Sequence, residues 1–146
     1  MEIETREYYR YDEIRSWPMV DGWSVNPDDP HFRVSCHRDA QIHESVLLGR
    51  GAMVGSGSVI GAKAMVESGA TVMAGAIIES GAVVGSGAMV GFNAVVGFNA
   101  VIGPWSTIGS GAKVGSGALI GFGAVVGAGV VVEAGAVIKP RAVVGA

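Results

Sequence analysis

The chain has 146 residues and a formal net charge of −3, with 24 glycines, 49% apolar residues and 16% charged residues. This mixture excludes a disordered segment, which needs low hydrophobicity and high charge, and a collagen helix, which needs glycine at every third position. Residues 1–40 hold nine acidic residues and five Lys or Arg, and residues 41–146 hold four and five. Neither part is basic enough to predict a nucleic-acid partner.

The sequence shows no sign of secretion or membrane insertion. Its N-terminus, MEIETREYYRYDEIR, is polar and charged, unlike a signal peptide, and the single cysteine, Cys36, excludes an intramolecular disulfide. Residues 80–112 lack charge and are long enough to span a bilayer, but glycine or asparagine stands there at nearly every sixth position, which is not typical of a membrane helix. We therefore expect one cytoplasmic domain with no membrane partner.

The first 40 residues predict a short cap. Thr5 to Trp17 has the pattern of a short helix with Thr5 as its N-cap, and Pro18 ends it. Two prolines and short polar side chains predict a turn over 26–30, and His31 to Cys36 is predicted to be a strand that enters the first coil. We expect residues 1–40 to cover the open strand edge of that coil.

The rest of the chain is a six-residue repeat. From Ile42 to Val144, every sixth residue is Ile, Leu or Val, 18 in all, with no insertion. Four positions after each stands a small residue, mostly Ala. Three positions after each stands Gly or Asn in 13 of 17 cases, and the exceptions are Ser45, Lys63, Trp105 and Arg141.

This pattern predicts a strand and a sharp corner in every hexad. Strand alternation places the aliphatic residue and the small residue two positions earlier on the same side, and Gly or Asn most readily adopts the positive φ of a tight corner. Pro104 and Pro140 precede Trp105 and Arg141, so we expect those two corners to use a different turn type. Three hexads close one triangular coil, and about six coils stack with a parallel repeat of 18 residues.

The repeat resembles the hexapeptide-repeat family, whose members form a left-handed parallel β-helix. The resemblance covers residues 42–146, and Cys36 with Ala40 fits one further, degenerate hexad. The resemblance implies that the β-helix is left-handed, whereas the general preference for right-handed crossovers would predict a right-handed one. The expected fold is all-β: a left-handed parallel β-helix over 41–146 with a short α/β cap over 1–40.

The resemblance also implies what chemistry to look for. Most named members are acyltransferases that use a histidine base and a coenzyme A thioester bound between subunits, but this chain has no loop excursion and no histidine after His43. The last coil, 137–145, is similar to that of gamma-class carbonic anhydrases, which bind zinc through three histidines. Here His31, His37 and His43 lie six apart, and we interpret them as polar surface residues, with no metal.

The residue before each core aliphatic should point outward. On one of the three faces these residues are all apolar, which predicts a subunit interface in a homotrimer. They are Leu47, Met65, Val83, Val101, Leu119 and Val137.

Aromatic residues replace the usual Ser-Gly corners in the middle coils. Phe92, Phe98, Asn99, Trp105 and Phe122 are candidates for a small-molecule site or, alternatively, for packing at the subunit contact.

Two main functional hypotheses follow. The first is a non-catalytic homotrimeric β-helix that acts as a scaffold or binds a small ligand, without a cofactor. The alternative is an acyl-CoA-dependent acyltransferase that uses His37 or His43 and binds acetyl-CoA or another acyl-CoA. A third possibility is an end-stacked fibre, because the chain stops in the middle of a hexad at Ala146.

Overall fold

The computed structural model describes residues 8–24 and 34–145, and they form a three-sided prism of short parallel strands. Face 1 contains β4 Ser35–Cys36, β7 Met53–Val54, β10 Thr71–Val72, β13 Met89–Val90, β16 Thr107–Ile108, β19 Val125–Val126 and β22 Val143–Val144. Face 2 contains β5 Gln41–Ile42, β8 Val59–Ile60, β11 Ile77–Ile78, β14 Val95–Val96, β17 Lys113–Val114 and β20 Val131–Val132. Face 3 contains β6 Leu47–Gly49, β9 Met65–Val66, β12 Val83–Val84, β15 Val101–Ile102, β18 Leu119–Ile120 and β21 Val137–Ile138.

Each strand pairs in parallel with the strands 18 residues away. Val83, for example, is in register with Met65 on one side and with Val101 on the other. This confirms the predicted all-β solenoid of about six coils with three parallel sheets.

The core is the interior of the prism. Every sixth residue from Leu48 to Val126 is at most 2% exposed, and the alanines beside these aliphatics are equally buried. Two buried serines take alanine positions, and their hydroxyls donate to corner carbonyls, Ser58 to Gly55 at 2.6 Å and Ser106 to Gly103. Each buried aliphatic side chain stabilises the coil by roughly 1.5–3 kcal/mol before chain entropy is subtracted.

The corners share one backbone conformation. Of the 17 residues that stand three positions after a core aliphatic, all except Ser45 have φ between 59° and 77°. The prediction of a different turn type at Trp105 and Arg141 is therefore wrong, since both have φ of 63°. Their N–H groups donate to carbonyls of the preceding coil, Trp105 to Ser86 at 2.9 Å, as the corner glycines do, so this ladder imposes the same turn on every residue type.

The edges between faces are named edge 1–2, edge 2–3 and edge 3–1. Edge 1–2 carries the corners that follow face 1, edge 2–3 those that follow face 2, and edge 3–1 those that follow face 3.

The N-terminal segment differs from the prediction. A helix from Thr5 to Trp17 is wrong, because β1 (Tyr8–Arg10) is a strand and α1 spans only Tyr11–Ile14. Strand β1 pairs antiparallel with β6, so the open edge of face 3 overrides the local helical pattern. Thr5, the turn predicted over 26–30 and His31 lie outside the described residues.

A small hairpin lies beside the first strand of face 1. It consists of β2 (Met19–Val20) and β3 (Trp23–Ser24), and Ser24 Oγ accepts the Cys36 N–H at 3.0 Å and donates to the Val34 carbonyl at 3.2 Å. Parallel pairing already begins at β4, within the segment predicted as a cap. The division of the chain at residue 40 stays a prediction.

Within the described part of the chain, no helix is long and apolar enough to cross a membrane.

Candidate ligand-binding groove

A cavity of about 370 Å³ lies on the outside of face 1, beside edge 1–2. The outward side chains of Met53 and Thr71 lie along its floor, and Trp23, His37 and Phe92 are among its walls. Ser56 and Met73 complete the rim at the corners of edge 1–2.

The repeat places most of these side chains. Met53 and Thr71 are the first residues of β7 and β10, which point outward because the second residue of each strand points into the core. Ser56 and Phe92 occupy the same corner position, two coils apart on edge 1–2. Trp23 comes from the N-terminal hairpin, so the groove exists only where that hairpin lies on the coil.

His37 is held in place by two contacts and by the shape of the space beside Gly22. Its ring packs edge-on against Trp23, with centroids 5.1 Å apart and planes at 85°, and its side chain is 19% exposed. Its Nδ1 accepts the backbone N–H of Asp39 at 3.1 Å. A Cβ at Gly22 would lie 3.2 Å from Nε2, so glycine at this position leaves space for the ring. A neutral imidazole bound in this way carries its proton on Nε2 and is a hydrogen-bond donor there.

His43 has a similar arrangement on a different edge. Its Nδ1 accepts the Ser45 N–H at 3.1 Å and lies 2.7 Å from Ser45 Oγ, which accepts the Lys63 N–H at 2.8 Å. The Ser45 hydroxyl therefore donates to Nδ1, and His43 also presents a protonated Nε2. His43 is exposed on edge 2–3 and does not line the groove. Among the described residues, no three His, Cys, Asp or Glu side chains converge in a way that could hold a metal ion.

The predicted aromatic site is divided among the three edges. Phe92 lines the groove on edge 1–2, whereas Phe98 and Asn99 lie on edge 2–3, and Trp105 and Phe122 lie on edge 3–1. One coil, residues 91–108, carries a bulky corner on all three edges. Within one chain the structure therefore joins His37 and Phe92 and leaves the other candidates apart.

Of the groove residues, sequence reasoning found only His37 and Phe92, and it missed the others for different reasons. The repeat itself pointed Met53 and Thr71 outward, but nothing in it distinguished them from outward residues on the other coils. Trp23 lies outside the repeat, and no local pattern predicts which face it covers.

The apolar column of face 3 lies as predicted, with one side chain per coil. Leu47, Met65 and Val83 are partly buried, and Val101, Leu119 and Val137 are exposed. Its role as a subunit interface stays a prediction.

Cys36 is not a candidate nucleophile. It is buried in the core, and that burial raises the pKa of its thiol to about 12, with a smaller opposing contribution from its hydrogen bond with Ser24. Burial and the neighbouring Cys36 also raise the pKa of Tyr11. Both groups therefore stay protonated at neutral pH.

The chain is a three-sided, left-handed parallel β-helix. Residues 93–128 match the family model described as bacterial transferase hexapeptide (six repeats). No curated protein matches the chain.

Similar solved structures are mainly acetyltransferases. A point variant of GDP-perosamine N-acetyltransferase from Caulobacter crescentus, with CoA and GDP-perosamine, is 27% identical over 75% of this chain and 51% of its own, with a TM-score of 0.39. The acetyltransferase domain of PglB from Neisseria gonorrhoeae, with acetyl coenzyme A, is 23% identical over 73% of this chain and 54% of its own, with a TM-score of 0.36. The CcmM N-terminal domain in complex with CcmN is 19% identical over 74% of this chain and 92% of its own, with a TM-score of 0.41. The chain spans about half the length of the two acetyltransferase structures.

Proposed function

We propose that this chain is a non-catalytic, homotrimeric β-helix that binds a small ligand in the groove between Trp23 and Phe92. The groove carries this proposal: its volume of about 370 Å³ lies in the range of small-molecule sites, and its walls are mostly apolar and aromatic. His37 lines the groove with its Nε2 beside Gly22, and Ser56 and Thr71 supply hydroxyls. A ligand with a flat apolar part and a hydrogen-bond acceptor fits this set.

The histidine geometry favours binding over transfer. His37 and His43 are the histidines among the described residues, and each uses Nδ1 to accept a backbone N–H. A general base must offer an unprotonated nitrogen to the acceptor of the acyl group. Neither side chain does so in this arrangement.

The second candidate function is an acyl-CoA-dependent acyltransferase, which the transferase description of the matching family model favours. In that reaction a base takes the proton of an acceptor hydroxyl or amine as it attacks the thioester carbonyl, and the coenzyme A thiolate leaves. His37 is better placed than His43, because it lines the groove. To act as the base, His37 would have to release the Asp39 N–H, which frees Nδ1, or would have to carry its proton on Nδ1 and leave Nε2 unprotonated.

Ligand binding is tested with 8-anilinonaphthalene-1-sulfonate, an aromatic probe that carries an acceptor group. We expect Phe92→Ala to weaken probe affinity about tenfold, because the groove loses an aromatic wall. Phe98→Ala is the matched control, since Phe98 occupies the equivalent corner of the same coil on edge 2–3. Equal losses in the two variants would contradict the groove as the binding site.

Catalysis is tested by thiol release from acetyl-CoA with amino-sugar acceptors. We expect no release above the protein-free rate in the wild-type chain. Turnover that falls about a hundredfold or more in His37→Gln, but not in His43→Gln, would instead support the acyltransferase. Glutamine keeps a donor near the position of Nε2 and removes the base.

A further inference from the structure

The methionines of the described chain lie outside the core. The buried apolar residues are Ile, Leu, Val and Ala, apart from Cys36, and no methionine is among them. Met53 and Met89 are 44% and 43% exposed, and Met73 is partly buried. A chemical change at any of these sulfurs therefore alters the surface of the prism and leaves its interior as it is.

Two of these methionines line the groove. Met53 lies along its floor and Met73 on its rim, and Met53 is the more exposed of the two. The Met53 side chain points outward because the next residue, Val54, points into the core. Its thioether is part of the apolar surface that a ligand in the groove would cover.

Thr71 lies between two methionines, one inside the groove and one outside it. Thr71 is in register with Met53 on one side and with Met89 on the other. Met53 and Met89 are equally exposed on the same face, but Met89 does not belong to the described lining of the groove. The two sulfurs are therefore equally accessible to a small reagent and differ in whether they touch a bound ligand.

Cys36, the single cysteine, is protected from oxidation. It is 1% exposed, and burial raises the pKa of its thiol to about 12, so the reactive thiolate is scarce at neutral pH. A thioether has no proton to lose, and its reaction with a peroxide depends on access to the sulfur. The exposed methionines are therefore the sulfur atoms that a peroxide reaches first.

We propose that Met53 is a regulatory oxidation site, at which a hydroperoxide lowers the affinity of the groove for its ligand. The peroxide transfers one oxygen atom to Sδ: an S–O bond forms, the O–O bond breaks, and hydrogen peroxide leaves as water. The sulfur loses two electrons and the peroxide gains two, with no net transfer of protons. This inference rests on the proposed function, because it requires a ligand in the groove.

The sulfoxide makes the floor of the groove polar. Its oxygen is a hydrogen-bond acceptor, and the Thr71 hydroxyl, one strand spacing of about 4.8 Å away, is a donor on the same face. An apolar ligand would cover this oxygen and remove its water without supplying a hydrogen bond, which is unfavourable. Oxidation at Met53 therefore weakens apolar binding and leaves the coil intact.

Peptide mapping after treatment with hydrogen peroxide tests the chemistry without any ligand. Cleavage after Lys and Arg places Met53 in the peptide 51–63, which contains no other methionine, and fragmentation of the peptide 64–113 resolves Met73 from Met89. We expect the sulfoxides of Met53 and Met89 to form at similar rates and that of Met73 more slowly. Slower oxidation at Met53 than at Met73 would overturn the inference.

Probe affinity after removal of the peroxide with catalase tests the regulation. We expect the oxidised wild type to bind 8-anilinonaphthalene-1-sulfonate about tenfold more weakly than the untreated protein. Met53→Leu keeps the apolar volume and removes the sulfur, so its affinity should change little on oxidation. Met89→Leu is the matched control and should lose as much affinity as the wild type. Protection by Met89→Leu and not by Met53→Leu would overturn the inference.

The outcomes separate this inference from the proposed function. Equal probe affinities of the untreated Phe92→Ala and Phe98→Ala proteins would overturn the groove as the binding site, and the inference with it. A groove that is sensitive to Phe92→Ala, but whose affinity is unchanged when Met53 is fully oxidised, would overturn the inference alone. Circular dichroism of the oxidised protein should match that of the untreated one, because the described methionines lie outside the core.

Discussion

At the scale of single residues, the hydrogen bonds between corners of successive coils determine the backbone conformation, and each side chain adapts to it. Trp105 adopts the same positive φ as the corner glycines, and its indole lies over Gly87 of the preceding coil. An L-residue in this conformation costs ~1 kcal/mol relative to glycine. The ladder hydrogen bond from Trp105 N–H to the Ser86 carbonyl, at 2.9 Å, maintains it nonetheless.

Gly87→Ala should destabilise the fold more than Gly111→Ala does. Both glycines have φ near 70°, but a Cβ at Gly111 meets open space, whereas one at Gly87 would lie 2.5 Å from Trp105 Cε3. We expect Gly111→Ala to lower the free energy of unfolding by ~1 kcal/mol and Gly87→Ala by more. Urea unfolding measures both.

The background Trp105→Gly provides the control for that difference. With the indole removed, Gly87→Ala should cost no more than Gly111→Ala, because only the backbone term remains. Equal losses for the two alanines in the wild-type background would mean that the indole does not hold its place over Gly87.

Cys36 should react with Ellman's reagent at pH 8 only as fast as the chain opens. The thiolate is the reactive form, and burial raises the pKa of Cys36 to about 12. An engineered Ser110→Cys thiol, exposed at a corner, is the control and should react at the rate of a free thiol. Comparable rates at the two sites would contradict the burial of Cys36.

The raised pKa also predicts a pH dependence of stability. The pKa of the Cys36 thiol is 9.0 in the unfolded chain and about 12 in the folded one. The contribution of the protonated thiol to the free energy of unfolding is therefore fully present below pH 9 and is lost as the pH rises toward 12. Cys36→Ser should therefore show a shallower loss of unfolding free energy than the wild type between pH 9 and pH 11. Parallel curves would show that the native thiol ionises normally.

At the scale of elements, the hexad is predictable because its signal is local and repeated. Side-chain alternation assigned the inward residues of the coils, and glycine preference assigned the corners. The segment at Tyr8–Arg10 was not predictable, because its strand exists through pairing with β6, some 40 residues away. The groove was only half predictable. The corner pattern made Phe92 a candidate site residue, and the acyltransferase resemblance did the same for His37. Trp23 lies beside them only through tertiary packing, which no local pattern predicts.

Ile102→Asp tests the interior on which every element depends. Ile102 is fully buried, and an unpaired carboxylate there should cost several kcal/mol or leave the chain unfolded, as judged by circular dichroism. Val131→Asp is the matched control, since Val131 is 65% exposed on an outward strand position, and it should change stability by less than about 1 kcal/mol. A folded, equally stable Ile102→Asp protein would contradict the inward orientation.

At the scale of the whole molecule, the repeat makes the three faces nearly equivalent in shape, and their outward side chains make them different. Face 1 carries the groove, and face 2 is interrupted by Gln41 and Lys113. Face 3 is apolar throughout. The proposed division between a ligand-binding face and an association face therefore depends on outward residues that contribute little to the core.

Val83→Glu should separate the oligomer into folded monomers. Val83 lies in the middle of the face 3 column, so a carboxylate there opposes association, while the inward Val84 and the coil remain intact. Ile77→Glu makes a comparable change at the outward position of the preceding strand on face 2 and should leave the oligomer unchanged. Association stabilises the folded state by mass action, so the Tm of the wild-type and Ile77→Glu proteins should rise with protein concentration. The Tm of Val83→Glu should not depend on protein concentration. A concentration-dependent Tm in Val83→Glu that is lost in Ile77→Glu would place the interface on face 2 instead.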